Sequence, residues 1–383
     1  MNLKRALETV KSYNFRTLNF RLIIYVIVLS IIGINVVSSA AEDSSTVYKQ
    51  IIGLGIGLVM MVVFALVKYE FIARYYWLLY LFSILILGIV LSPLGSTYMG
   101  AQRWIDLKVV SIQPSEFAKI LVIIFFAALI GKNQTSLNSW KFVFFMIVLA
   151  AIPLFLIFKE PDLSTSIVLF VTICAIILTS NLHKKFIRII ALCAIPLIAG
   201  VLVLIIVLPA DKNILSEYQY NRIIGFYDEE NEVAATIRYQ QENSVLAIAN
   251  GGLTGKGLKN NSITSVKNAD FISEPETDFI FTIVGEELGF VGSMAVVLLL
   301  FLIVFECVRT GMRARESIGK GIAIGFGSLI AVQTLINLGV VTMILPNTGL
   351  TLPFVSAGLS SLIVLYIGVG IILNIGLRKK ISF

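Results

Sequence analysis

Runs of close to twenty consecutive apolar residues recur along the whole of this 383-residue chain, and they decide its solvent. With 57% hydrophobic and 14% charged residues, and a mean hydropathy of +0.92, it holds more apolar length than one water-soluble core can bury. In a bilayer every backbone N–H and C=O must be paired internally, so such runs are helices or the strands of a closed barrel. Barrel strands alternate in polarity over short segments; these runs are continuous, which selects helices. The expected fold is an all-α polytopic membrane protein, a single domain over residues 1–383.

Ten spans are predicted: Leu22–Ala40, Gln50–Val67, Tyr75–Leu94, Phe117–Ile130, Phe142–Phe158, Thr165–Ser180, Phe186–Leu208, Asp278–Val308, Gly319–Leu345 and Phe354–Leu377. Lysine and arginine crowd every second boundary: Arg16 and Arg21, Lys68 and Arg74, Lys132 and Lys141, Lys184 and Lys185, Arg309 and Arg313, Arg378 and Lys379. An even number of spans puts these boundaries and both termini on one side, which the positive-inside rule makes cytoplasmic. Residues 1–21 then form a cytoplasmic N-terminal segment, 378–383 a cytoplasmic tail, and 209–277 one long extracellular loop between spans seven and eight. No cleavable signal is expected, because the first apolar run is long and no small-residue cleavage site follows it. The net charge of +7 resides in these short loops, so it reports topology and not nucleic-acid binding. Cys174, Cys193 and Cys307 lie in or beside apolar runs with no metal-ligand spacing and read as packing residues.

The opposite boundaries hold the polar chemistry. Between Ser273 and Gly289 the chain reads SEPETDFIFTIVGEELG, five carboxylates leading into an apolar stretch. Ionisable groups at a membrane boundary are costly and so mark functional sites by default. Asp278 stands where the long loop ends and a helix is predicted to begin; helix capping is its plainer reading. Glu286 follows eight residues on, about 80° around the helix and about 12 Å deeper, with Glu287 beside it. Arg103, Trp104, Ser115 and Glu116 precede the fourth span and Lys119 lies in its first turn; Trp104 could be an interfacial anchor, and Glu116 with Lys119 a helical ion pair. Lys159 and Asp162 occupy the turn KEPDLS, where Asp162 can cap the sixth span. Gly251–Gly257, GGLTGKG, fails as a phosphate-binding loop: its spacing is one residue short and no Ser or Thr follows the lysine. It reads instead as a flexible turn presenting Lys256. The long loop's Tyr218–Gln241 portion is expected to contain an amphipathic helix. Together these residues predict a two-signed polar site at the outer leaflet, suited to an amphiphile with an anionic head.

GAQRWI and QPSEFAK (100–119), EPDLSTS (160–166), YQQENSVLAIANGGLTGKGL (239–258), PETDFIFTIVGEELG (275–289) and LPNTGLTLPFVSAGLSS (345–361) resemble the SEDS family, which includes RodA and FtsW, in family order over essentially the whole chain. The resemblance implies a ten-helix enzyme of the bacterial cytoplasmic membrane, a glycosyltransferase that polymerises lipid II into glycan strands on the outer face. Its partners would be lipid II, the undecaprenyl-pyrophosphate-linked glycan, membrane lipids and a class B penicillin-binding protein. It places the family's essential aspartate on Asp278, its paired acidic residues on Glu286 and Glu287, its Arg-Trp, Ser-Glu and Lys on Arg103, Trp104, Ser115, Glu116 and Lys119, and its PDL aspartate on Asp162. Thr351, Ala357 and Leu359 depart from the common pattern near the C-terminus, while the short N-terminus and the tail ISF look more like RodA than FtsW. On this reading Asp278 is the general base, and Arg103, Lys119, Lys159 and Lys256 hold the lipid pyrophosphate, alone or with a divalent cation (Mg or Mn). Two other classes compete. A lipid II flippase predicts a polar path across the whole bilayer, for which Gln333 and Asn337 are the main deeper groups. A scaffold predicts that removing the Asp278 charge leaves cell shape intact.

Overall fold

The computed structural model describes residues 15–41, 43–98, 101–106, 111–189, 192, 215, 217–227, 232–260, 265, 272 and 274–378. Nine of the predicted spans fall on helices: α1 (Phe20–Ala40), α2 (Ser44–Leu66), α4 (Tyr76–Val90), α5 (Pro114–Lys132), α6 (Trp140–Lys159), α7 (Leu163–Leu178), α10 (Ile280–Met312), α11 (Ser317–Val341) and α12 (Leu359–Leu377). Seven are long and apolar enough to cross a membrane, with α4 and α7 shorter apolar helices. A six-residue α3 (Tyr69–Arg74) links α2 to α4, while α8 (Glu217–Tyr227) and α9 (Glu232–Asn250) lie in the long loop. The predicted seventh span falls mostly outside the described residues, as do parts of the loop after it.

Helix starts follow local chemistry. Asn19, Asp43, Ser139 and Asp162 each accept a hydrogen bond from a first-turn backbone N–H, and Pro114 opens α5 where a missing N–H costs nothing. α5, α11 and α12 are largely buried and form the centre of the bundle, whereas α2, α6 and α10 expose apolar side chains along much of their length. In lipid that exposure is no penalty, so packing rests on close fit and not on dewetting. Gly57 of α2 illustrates this: a Cβ there would stand 2.8 Å from the Tyr366 ring of α12.

Two features amend the sequence reading. Past α4 the chain forms a small antiparallel sheet, β1 (Ser96–Tyr98), β2 (Ala101–Asp106) and β3 (Ser111–Ile112), pairing Ser96 with Trp104 and Ile105 with Ile112. The protein is therefore mostly but not purely helical; beyond the hydrocarbon, open strand edges can be hydrated. Second, α10 breaks at Gly289 (φ 65°, ψ −164°), and the Gly251–Gly257 turn docks there in place of hanging free. Phe290 and Val291 N–H donate to the carbonyls of Gly252 and Leu253, and Lys256 and Gly257 N–H donate to those of Glu286 and Glu287. The turn thus satisfies backbone groups that a helix break would orphan in lipid. Gly289 and Gly255 are in backbone contact, since a Cβ on Gly289 would lie 2.2 Å from the Gly255 nitrogen.

The two ends of α10 differ in character. At its C-terminal end Glu306 is buried and accepts hydrogen bonds from Asn19 Nδ2 (2.8 Å) and Arg309 Nη1 (3.1 Å), with Arg21 at 4.0 Å. About 40 Å of helix away from Glu306, its N-terminal end meets Asp278 and a polar cavity.

Candidate active site

A cavity of about 420 Å³ opens between the N-terminal ends of α10 and α12, the small sheet and the segment 346–358. Arg103 and Trp104 of β2, Arg222 of α8, Glu274, Thr277 and Asp278 line it, with Ser111, Gln113, Thr351, Ser360 and Ser361 forming a neutral polar wall. Asp278 does not cap α10; Phe279 is the cap residue and no side chain caps that end. Its half-buried carboxyl faces the cavity, and burial raises its pKa above the ordinary carboxylate value. The positive charges of Arg222 and Arg103 oppose that rise, and the Asp162 carboxylate adds to it. Glu274, exposed at the rim, is likewise raised by burial and by Asp278.

Gly349 sets the spacing of the central charges. At φ 70° it has the left-handed backbone that glycine tolerates, and a Cβ there would lie 2.5 Å from Arg222 Nη1 and 3.1 Å from Asp278 Oδ2. Guanidinium and carboxylate therefore share the space above one bare Cα. Arg103 is aimed by the turn before α7: its Nε donates to the Glu160 carbonyl (3.2 Å) and Nη2 to that of Pro161. The first turn of α12 also reaches the cavity, through Gly358, Leu359, Ser360 and Ser361, and no side chain caps it. Its dipole adds positive potential to that of the two arginines.

The predicted residues divide into those that meet here and those that pair elsewhere. Arg103, Trp104 and Asp278 line the cavity. Asp162 stands behind them, its carboxylate capping α7 through Thr165 N–H (3.0 Å). Lys119 and Glu116 form a 2.7 Å ion pair inside the bundle, with side chains 1% and 7% exposed, and Ser115 is buried beside them. Lys159 ends α6 with its ammonium 5.6 Å from the Phe155 ring centroid. Lys256 pairs with Glu286 at 2.7 Å, and Glu287 accepts from Ser39 Oγ at 2.6 Å; this group fastens the glycine turn to α10 and α1 and does not line the cavity. Arg222 and Glu274 are charged lining residues that were not among the candidates, although Glu274 belongs to the five-carboxylate stretch before Gly289. Arg222 lies within the stretch predicted to hold an amphipathic helix, which was its one signal.

Glu160 is a further group of consequence. It is fully buried, neither carboxyl oxygen has a hydrogen-bond partner among the described residues, and its pKa is pushed up to about 9 by burial, with Asp162 adding and Arg103 opposing. The native carboxyl is then neutral at pH 7, while the unfolded chain ionises near 4.5. Native stability from this group is full below pH 4.5 and lost as pH rises toward 9, about 3 kcal/mol of it by pH 7. Glu160→Gln, neutral at every pH, is expected to raise the melting temperature in detergent by several degrees at pH 8 and hardly at all at pH 5. A gain equal at both pH values would show that Glu160 is ionised in the native protein.

The family model described as a cell cycle protein, covering FtsW, RodA and SpoVE, matches residues 13–381 of this chain. The chain is 33% identical over 346 residues to the peptidoglycan glycosyltransferase MrdB of Escherichia coli (strain K12), covering 90% of this chain and 89% of that one. It is 32% identical over 337 residues to the probable peptidoglycan glycosyltransferase FtsW of Trichlorobacter lovleyi (87% and 84%) and 32% over 332 residues to the stage V sporulation protein E of Bacillus subtilis (85% and 86%). Among solved structures, a chain of a peptidoglycan synthase complex that coordinates polymerization and crosslinking superposes with a TM-score of 0.75 at 24% identity, covering 94% of this chain and 97% of that one. The rod shape determining protein RodA of Thermus thermophilus gives a TM-score of 0.69 at 23% identity, covering 96% and 99%. At those identities the structural likeness speaks for the fold.

Proposed function

This chain belongs to the FtsW, RodA and SpoVE family, and on that footing we propose that it is a membrane glycosyltransferase polymerising lipid II into peptidoglycan strands at the outer face of the cytoplasmic membrane. The observation that carries the proposal is the meeting of a raised-pKa carboxylate with two guanidinium groups in one polar cavity at the end of the bundle away from the basic boundaries. Asp278 takes the proton from the 4-hydroxyl of the acceptor GlcNAc as that oxygen bonds to the anomeric carbon of the donor. The bond from that carbon to the diphosphate oxygen breaks in the same displacement, and the lipid diphosphate leaves with the electron pair. Attack opposite an α-linked leaving group gives a β-1,4 link in one inverting step. Arg103 and Arg222 meet the charge that develops on the diphosphate, and the neutral wall of Ser111, Gln113, Ser360 and Ser361 offers donors and acceptors to sugar hydroxyls. Among the described residues no three His, Cys, Asp or Glu side chains are grouped to hold a metal ion by themselves; a magnesium or manganese ion shared with the diphosphate would be held by Asp278 and Glu274 of the cavity lining and would add countercharge to that of the arginines.

A class B penicillin-binding protein is the proposed partner, cross-linking the strands this chain extends. The flippase alternative loses support because the N–H donors of Gln333 and Asn337, its deeper polar groups, are directed to backbone carbonyls of Thr351, Asp278 and Leu350 and tie α11 to the outer segments. Purified protein given lipid II, with and without a candidate transpeptidase, is expected to yield glycan chains resolved on a gel. Translocation of labelled lipid II across vesicles with no polymer formed would instead establish the flippase.

A further inference from the structure

We propose that Asn337, a buried amide near the outer end of α11, is the positioning residue that fixes Asp278 in the cavity, a role that rests on Asp278 being the base. Three consecutive backbone carbonyls lead to that carboxylate, and each is held by a different donor. Glu276 accepts from Ala357 N–H at 2.8 Å, Thr277 from Ser356 Oγ at 2.7 Å, and Asp278 from Asn337 Nδ2 at 2.8 Å. The same Nδ2 donates its second hydrogen to the Leu350 carbonyl at 2.6 Å. Leu350 adjoins Gly349, the residue above whose Cα the Asp278 and Arg222 side chains meet. One side chain thus ties the strand of chain carrying the carboxylate to the strand that forms its floor.

The chemistry of the site accounts for such an arrangement. Asp278 precedes α10 in an irregular turn, where no helical ladder fixes its backbone. Asn337 belongs to a continuous helix at the bundle centre and is 1% exposed, so it supplies a rigid reference for two segments that have none of their own. Both hydrogens of its amide are used, whereas its Oδ1 has no partner among the described residues. The residue is therefore placed here as a double donor. In a displacement reaction a base misplaced by about 1 Å can cost about a hundredfold in rate without loss of substrate binding.

Full-length Asn337→Leu, similar in size and without a donor, is expected to lower kcat on lipid II about tenfold to a hundredfold while KM stays within about threefold. Should that variant fail to fold, Asn337→Ser, whose hydroxyl can serve one carbonyl at most, is expected to lose about threefold to tenfold in kcat. In an Asp278→Asn background the residual polymerisation should fall no further when Asn337→Leu is added, because a positioning residue acts only through the group it positions. A kcat within twofold of wild type in whichever folded variant is tested, a loss confined to KM, or full additivity with Asp278→Asn would each overturn the inference. Normal polymerisation by Asp278→Asn would instead remove the base assignment itself; an inactive Asp278→Asn beside a normal Asn337→Leu would remove only the role of Asn337.

Discussion

Asp278→Asn, present in membranes at wild-type abundance, is expected to polymerise lipid II about 10² to 10⁴ times more slowly than the wild type while still binding it. Asparagine keeps the shape of the side chain and its place beside Gly349 but cannot take a proton from the acceptor hydroxyl. The pH dependence gives the assignment a second, independent reading. A protonated Asp278 is not a base, so activity must fall as pH falls through its pKa. Burial and the Asp162 carboxylate raise that pKa more than Arg222 and Arg103 lower it. The acid limb of the wild-type kcat profile should therefore lie above the ordinary aspartate value of 3.8, and the residual activity of Asp278→Asn should lack it. Polymerisation by Asp278→Asn at the normal rate, or with the same acid limb, would assign the base to another group.

Much of this was legible in the chain before any coordinates. Continuous apolar runs specify lipid-spanning helices because the backbone has no other partner there, and nine of the predicted spans fall on helices, although α2 begins six residues before its apolar run and α12 five residues after its own. Asp278 stood out because a carboxylate at a membrane border is costly. Electrostatic cost, however, shows that a buried charge needs a partner and not which partner it has. Lys119 found Glu116 three residues away on its own helix, and Glu286 found Lys256 through the docked glycine turn. Lys119 and Lys256 were expected to hold the lipid pyrophosphate and Glu286 to support that site; the helical Glu116–Lys119 pair was the plainer reading of its spacing, whereas nothing in the chain linked Lys256 to Glu286. Arg222 shows the opposite failure. It lies in a loop with no apolar run to index it, and only the folding of α8 over the segment 346–358 brings it to Asp278. The break in α10 was likewise hidden, since Gly289 is tolerated within a helix and only the arrival of Gly255 makes a break the better solution.

Arg222→Ala is the second substitution with a large expected effect, about 10² to 10³ in kcat, the loss typical of removing one preorganised donor from a developing negative charge. Its sign on the pH profile separates a role at the site from a role in folding. Of the two arginines that hold the Asp278 pKa down, Arg222 is the stronger influence. Without it, burial and Asp162 are less opposed, the carboxyl protonates more readily, and the acid limb should move to higher pH. Arg222→Lys keeps a positive charge but not the planar fork that grips two phosphate oxygens. It should hold the acid limb near its wild-type position while recovering only part of the rate. Arg103→Ala should move the limb in the same direction by less, since its charge acts on Asp278 more weakly. A variant that is merely misfolded lowers the amount of active enzyme equally at every pH and leaves the limb where it was. An unmoved limb in Arg222→Ala would thus place that guanidinium away from the carboxylate, and a limb moved to lower pH would reverse the sign of their coupling.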